Sequence, residues 1–173
     1  MAIYFTSDLH LRHANIINLC NRPFKNIQEM DNTILRNWNN TIKEGDLVYL
    51  LGDISLRGPQ HYPWYKAIIP KLHGEKVLIL GNHDYLKPFQ YLKMGFSSIH
   101  TSLCLESKWL FLVHDPVNKI YAPKNYNVLC GHVHEKFKFA DGYPKTINVG
   151  VDIWGYKPVS LFTIQEELKQ FKP

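Results

Sequence analysis

A chain of 173 residues with 45% apolar content and a formal charge of +5 has the length of one globular domain, enough to bury roughly two thirds of its unfolded surface. Its mean hydropathy of −0.25 excludes a disordered tail, and apolar runs of only strand length exclude a membrane span. The basic residues are dispersed rather than gathered in a run, so the charge favours anionic partners only weakly.

Cys20, Cys104 and Cys130 are odd in number and lack CxxC spacing, and so read as free thiols of a reducing compartment. The opening MAIYFTSDLH has neither a basic n-region nor a long apolar h-region. A cytoplasmic protein without a secretory signal is therefore expected. No internal repeat, linker or low-complexity tract interrupts residues 1–173, which are expected to form a single domain.

The elements follow in order. Ile3 to Thr6 reads as a strand and His13 to Cys20 as a short helix. From Ile27 to Ile42, the residues Ile27, Met30, Ile34, Leu35, Trp38 and Ile42 fall on one stripe at helical spacing. Asn26 precedes this helix as an N-cap, and Glu29 stands three residues on, close to a capping box. Leu47 to Leu51 is a strand; Pro63 opens a helix over Trp64 to Ile69. A strand from Lys76 to Leu80 precedes a helix over Tyr85 to Met94, and Ser98 to Leu103 has a fainter strand pattern. Trp109 to Val113, Val128 to Cys130, Thr146 to Val149 and Val159 to Ile164 complete the strands. The central runs are continuous rather than alternating, as in strands covered on both faces. Strands alternating with helices, then a strand-rich half after about Lys124, indicate an α/β architecture with mixed sheets.

Five of these strands end in the same manner. IYFTSDLH closes on Asp8 and His10, LVYLLGD on Asp53, VLILGNHD on Asn82, His83 and Asp84, WLFLVHD on His114 and Asp115, and NVLCGHVH on His132 and His134. Strand carboxyl ends line the ligand crevice of an α/β sheet, so these groups are expected to converge. Carboxylate and imidazole donors without thiolate suit Mn²⁺, Fe or Zn²⁺. In D-x-H and H-x-H, side chains two residues apart can face one centre. Seven such donors exceed one open site and match two cations about 3.5–4 Å apart that share a carboxylate. A lone pair of this kind is more often a cap or a surface pair; the ordered set of five has no structural explanation.

The ordered motifs D-x-H, GD, GNHD, H and GHxH, at Asp8 to His10, Gly52-Asp53, Gly81 to Asp84, His114 and Gly131 to His134, resemble the calcineurin-like metallophosphoesterases. The strings SDLHLRHANII, NRPF, NWN and NVGVDIWGYKPVSL are similar to a compact bacterial and phage branch. The resemblance implies a sandwich of two mixed β-sheets flanked by helices. It further implies one metal held by Asp8, His10, Asp53 and His134. A second would be held by Asp53, Asn82, His114 and His132, with Asp53 bridging. His83 would serve as the acid for the leaving oxygen, oriented by Asp84. The fourth motif departs from the family, which often has glycine beside the histidine; here VHDP presents Asp115 and Pro116.

Arg12 and His13, just after His10, are candidate substrate contacts, since Arg can hold phosphate bidentately; Arg22 and Arg57 are weaker ones. His61, His73 and His100 lie outside the motifs and read as structural.

Such a site lowers the pKa of a bridging water, whose hydroxide attacks phosphorus in line. Mn²⁺ is the expected ion, with Fe, Zn²⁺, Ni²⁺ and Mg²⁺ as alternatives. At this length a large cap domain is not expected, and an open cleft favours a phosphodiesterase acting on a nucleotide or nucleic-acid end. The alternative is a phosphomonoesterase on a small metabolite or nucleotide. A non-catalytic domain on the same fold would be expected to have lost a ligand or His83, and a plain nucleic-acid-binding module leaves the strand ends unexplained.

Overall fold

The computed structural model describes residues 1–55, 59–140, 142 and 144–171. Its strands are β1 (Ile3–Thr6), β2 (Leu47–Leu50), β3 (Glu75–Ile79), β4 (Phe96–His100), β5 (Ser102–Leu105), β6 (Leu110–Val113), β7 (Asn127–Cys130), β8 (Phe139–Ala140), β9 (Thr146–Asn148) and β10 (Val159–Ser160). Its α-helices are α1 (Asn15–Leu19), α2 (Ile27–Thr41), α3 (Tyr62–Ile68), α4 (Pro88–Lys93) and α5 (Leu161–Gln170). None of the described helices is long and apolar enough to cross a membrane.

Two mixed sheets of five strands pack face to face. One has the order β10-β1-β2-β3-β4 and the other β5-β6-β7-β9-β8. β1 to β4 are parallel with β10 antiparallel at the edge. β6, β7 and β9 are parallel, with β5 and β8 antiparallel outside them. Phe5, Tyr49, Leu51, Val77 and Ile79 of the first sheet join Leu110, Leu112, Leu129 and Ile147 of the second in the central core. The alternate residues Val48, Leu50 and Leu78 face a second core built with Ile16, Met30, Ile34, Trp38, Tyr65 and Tyr91 from α1 to α4. Phe111, Val113, Val128 and Cys130 point to the outer face of the second sheet. Both sides of these strands are thus apolar, which is why their sequences run without alternation.

α2 begins as its sequence dictates: Asn26 Oδ1 accepts from the Glu29 amide at 2.9 Å. Glu29 returns to the Lys25 amide at 2.8 Å, one residue earlier than a capping box requires. The largest departure is at the C-terminal end. The expected strand from Val159 to Ile164 is a two-residue strand paired with β1, and the chain then turns into α5. Ser160 Oγ caps that helix by accepting from the Thr163 amide at 3.1 Å. Leu161, Ile164 and Leu168, at helical spacing, all join the central core, so burial of that stripe outweighs the β-propensity of the run. The faint pattern over Ser98 to Leu103 is two strands, β4 and β5, one at the edge of each sheet.

Ser7 and Gly150, just past β1 and β9, form a parallel bridge. The parallel strands of the two sheets therefore run the same way, and their carboxyl ends share one rim.

Candidate metal centre

The rim gathers the polar strand ends on unusual backbone. Asp8, His10, Asp53, His132 and His134 all have positive φ, at 59°, 48°, 55°, 71° and 49°. Left-handed backbone costs a non-glycine residue roughly 1–2 kcal/mol, and Asp and His are among the residues that tolerate it best. Such residues cluster where the surrounding structure imposes them. The D-x-H segment is thus a left-handed turn that still brings both side chains to one centre, as expected: Leu9 is buried in the helical core while Asp8 and His10 look onto the rim. Glycine permits close approach beside them. A Cβ on Gly131 would lie 2.6 Å from Asp8 Oδ2, and one on Gly81 would lie 2.7 Å from the Asp53 amide nitrogen.

Two groups of donors result. In the first, Asp8, His10 and His134 each bring a ligand atom within 4.8 Å of the others. His10 Nδ1 meets His13 Nδ1 at 3.2 Å, and His10 Nε2 lies 4.0 Å from Asp8 Oδ1 and 3.5 Å from Asp53 Oδ2. That Nε2 is buried without a hydrogen-bond partner. Asp8 accepts the His132 amide at 3.1 and 3.0 Å. Burial pushes its carboxyl upward despite the nearby His114 and His134.

In the second group, Asp53, His114 and His132 converge within the same 4.8 Å limit. His114 Nδ1 bonds the Leu51 carbonyl at 2.7 Å. A carbonyl only accepts, so Nδ1 carries the proton and Nε2 is the ring nitrogen turned toward the centre. Asn82 Oδ1 sits 3.1 Å from His114 Nε2 and 2.9 Å from His132 Nδ1. Asp53 Oδ2 is 3.5 Å from the Nε2 of both His10 and His114, one from each group. Burial raises the Asp53 carboxyl, but its bonds to His114 and the His83 amide more than reverse this, holding it at about 2. Burial likewise lowers His114, yet the contact with Asp53 leaves it raised to about 9. A buried, partnerless imidazole nitrogen between two carboxylates, matched by a second O and N cluster without sulfur, fits two divalent cations.

Asp84 hydrogen-bonds backbone amides rather than the ring of His83, contrary to the expectation that it orients this side chain. Its Oδ2 accepts from the amides of Asp53 at 2.8 Å and Gly81 at 2.9 Å, and its Oδ1 from Ile54 at 3.2 Å. It ties two strand-end turns together, and burial pushes it up to about 7. His83 is placed by its own amide, which donates to Asp53 Oδ1 at 2.9 Å. Its side chain is 32% exposed, with Nε2 4.0 Å from Asp53 Oδ2.

The candidate substrate contacts fare unequally. His13 packs on His10 and lines a groove of about 310 Å³ with His83, His134, Ile16, Leu19 and Lys136. The Arg12 guanidinium stacks 5.5 Å over the Trp64 ring. Arg22 is buried, with its Nε bound to Asp152 Oδ1 at 2.8 Å, so it is removed from substrate contact. Arg57 lies outside the described residues. Asp115 explains the departure at the fourth motif: its Oδ1 accepts from the Val117 amide at 2.9 Å and caps the 3₁₀ turn Pro116–Tyr121. His73 and His100 bond Ile42 O and Ser98 Oγ, and His61 lies against Tyr65. All three stay structural.

Sequence reasoning missed Asp152, whose Oδ2 is 3.1 Å from His134 Nδ1, and Asn148, whose Nδ2 donates to the His134 carbonyl at 2.7 Å. Both lie in NVGVDIWGY, whose unusual string was the available signal.

Fold and rim together define a phosphoesterase-type metal centre. The family model for calcineurin-like phosphoesterases matches residues 1–154. The chain belongs to that family and is a metal-dependent phosphoric ester hydrolase. It is 35% identical over 176 residues to an uncharacterized protein of Methanocaldococcus jannaschii, covering 98% of this chain and 93% of that protein. The gene 66 protein of Mycobacterium phage L5 is 36% identical over 81 residues, 47% of this chain and 39% of the phage protein. A crystal structure of an Aquifex aeolicus protein of unknown function superposes with a TM-score of 0.75 at 30% identity, over 96% of this chain and 98% of that one. These relatives accord with a compact branch of the family.

Proposed function

We propose that this chain hydrolyses phosphodiesters of nucleotides or nucleic-acid ends with two divalent cations, Mn²⁺ being the expected ion. The observation that carries the reading is the position of Asp53 Oδ2, 3.5 Å from a ring nitrogen of each donor group. Asp8, His10, Asp53 and His134 would hold one cation, and Asp53, Asn82, His114 and His132 the other. When bound, such a pair supplies a nucleophile from water near neutral pH and positive charge for the phosphoryl oxygens. His83, beside the groove, donates a proton to the departing oxygen. Ile16 and Leu19 along the same groove offer an apolar wall to the departing alcohol, and His13 keeps the His10 ring in place.

Charge supports the diester. Lys136 is the only Lys or Arg among the described residues lining the groove; Arg22 is bound to Asp152 and Arg12 lies over Trp64. A dianionic monoester calls for more cationic groups than a monoanionic diester does.

The test is hydrolysis of a panel of mono- and diesters after chelation and re-addition of Mn²⁺, Mg²⁺, Zn²⁺ or Ni²⁺ singly. Restored turnover with diesters ahead of monoesters is the expected result. Monoesters ahead would replace the diester reading, and no turnover with any ion would overturn it.

A further inference from the structure

Arg22 and Asp152 stand outside the proposed ligand set, yet both are buried at its edge, with side-chain exposures of 0% and 2%. An Arg side chain has five N–H donors, and each of these has an acceptor here. Nε reaches Asp152 Oδ1 at 2.8 Å, and one terminal nitrogen reaches Asp152 Oδ2 at 2.9 Å and the Asp8 carbonyl at 2.8 Å. The other reaches the Leu9 carbonyl at 3.1 Å and Met30 Sδ at 3.5 Å. No donor is left for a substrate phosphate. Asp152 Oδ2 also meets His134 Nδ1 at 3.1 Å. A carboxylate accepts, so His134 carries its proton on Nδ1, and its Nε2, 4.0 Å from Asp8 Oδ1, is the free donor.

We infer that Arg22 and Asp152 form a buried clamp that sets the geometry of the first cation's ligands and thereby its affinity. The inference rests on the dinuclear reading above. One guanidinium fixes two carbonyls of the left-handed loop that carries Asp8 and His10. Through Asp152 it also fixes the ring and tautomer of His134. All three donors of the first group answer to it, whereas among the described residues the hydrogen bonds of Asp53, His114 and His132 go to other partners. A merely structural ion pair would affect folding without choosing between the two cations.

The experiment titrates the metal-free protein with Mn²⁺ alone and measures metal per chain, using wild type, Asp152→Asn, Arg22→Lys and Ile164→Ala. Ile164, in the central core, is the control for general destabilisation. Wild type should bind two ions. Asp152→Asn and Arg22→Lys should each weaken one of them about 10–100-fold, as loss of a ligand's outer partner does, with the other unchanged. Ile164→Ala should bind both as wild type does. Fewer than two ions on wild type would overturn the dinuclear reading itself. Two ions on wild type, with variant titrations unchanged or weakened equally at both positions, would overturn the clamp. If neither variant folds, ¹⁵N spectra of the Zn²⁺-loaded wild type decide: a proton on His134 Nδ1 is expected, and one on Nε2 overturns the inference.

Discussion

Asp8, His10 and His134 are held from behind by buried groups, whereas Asn82 of the other half reaches the centre from an exposed turn. In the first half the spare ring nitrogens are already engaged, His10 by His13 and His134 by Asp152. In the second half His114 Nδ1 is anchored to the Leu51 carbonyl, while Asn82 Oδ1 and the His132 ring meet at 2.9 Å on the exposed side of the rim. Prior engagement fixes orientation before any ion arrives, so the first position should hold its cation more tightly. Asp53 belongs to both halves.

The largest effect should come from Asp53→Asn. With the shared oxygen gone, both cations should be lost and turnover nearly abolished while the circular dichroism of the fold persists. Asn82→Ala should empty the second position alone; metal analysis showing both ions lost there would erase the distinction between the halves.

His83 belongs to neither half. His83→Ala should retain both ions yet lower kcat on an alkyl ester about 10²–10⁴-fold. A nitrophenyl ester, whose leaving oxygen needs little protonation, should lose less. Equal losses on the two esters would make His83 a phosphate-positioning group, and a lost ion would make it a ligand.

The buried backing of the first half has a cost that pH should reveal. Asp31 accepts the Arg12 amide with both oxygens at 3.3 Å, and burial raises it from 3.8 to about 6 despite that bond. The folded state therefore favours the protonated form. The stability this contributes is complete below 3.8 and is lost as pH rises through about 6. Asp31→Asn keeps an acceptor for Arg12 and removes the ionisation. Relative to wild type it should gain up to roughly 3 kcal/mol between about pH 4 and pH 8. Urea melts at the two pH values measure this; a constant difference between the proteins would refute it.

Gly131→Ala sharpens the comparison most finely. Its methyl would meet Ser7 Oγ and come 2.6 Å from Asp8 Oδ2, a crowding worth about 1–3 kcal/mol. Calorimetry should show a lower Tm, and Mn²⁺ titration a weaker first site with the second unaffected. An unchanged first site would mean that this half yields as readily as the other.

The donors of the centre could be read from the chain because each follows a strand of the same sequence pattern. Apolar periodicity and donor chemistry are local properties, visible within a few neighbouring residues. The same locality misled at Val159 to Ile164, where β-branched residues masked the stripe of Leu161, Ile164 and Leu168. The role of Asp84 was misplaced for a related reason: adjacency to His83 in the chain is not contact of their side chains in space.

What the chain by itself determined was most of the strands, the polar groups at their ends and, through donor type, the chemistry of the rim; the short β8 and the turn from β10 into α5 escaped it. Tertiary structure alone decided that five of those groups take left-handed backbone, that Asp53 stands between the two clusters, and that Arg22 meets Asp152 across 130 positions of sequence. Periodicity records which face of an element is buried, but a charge finds its partner only when sheet order brings two distant loops to one rim.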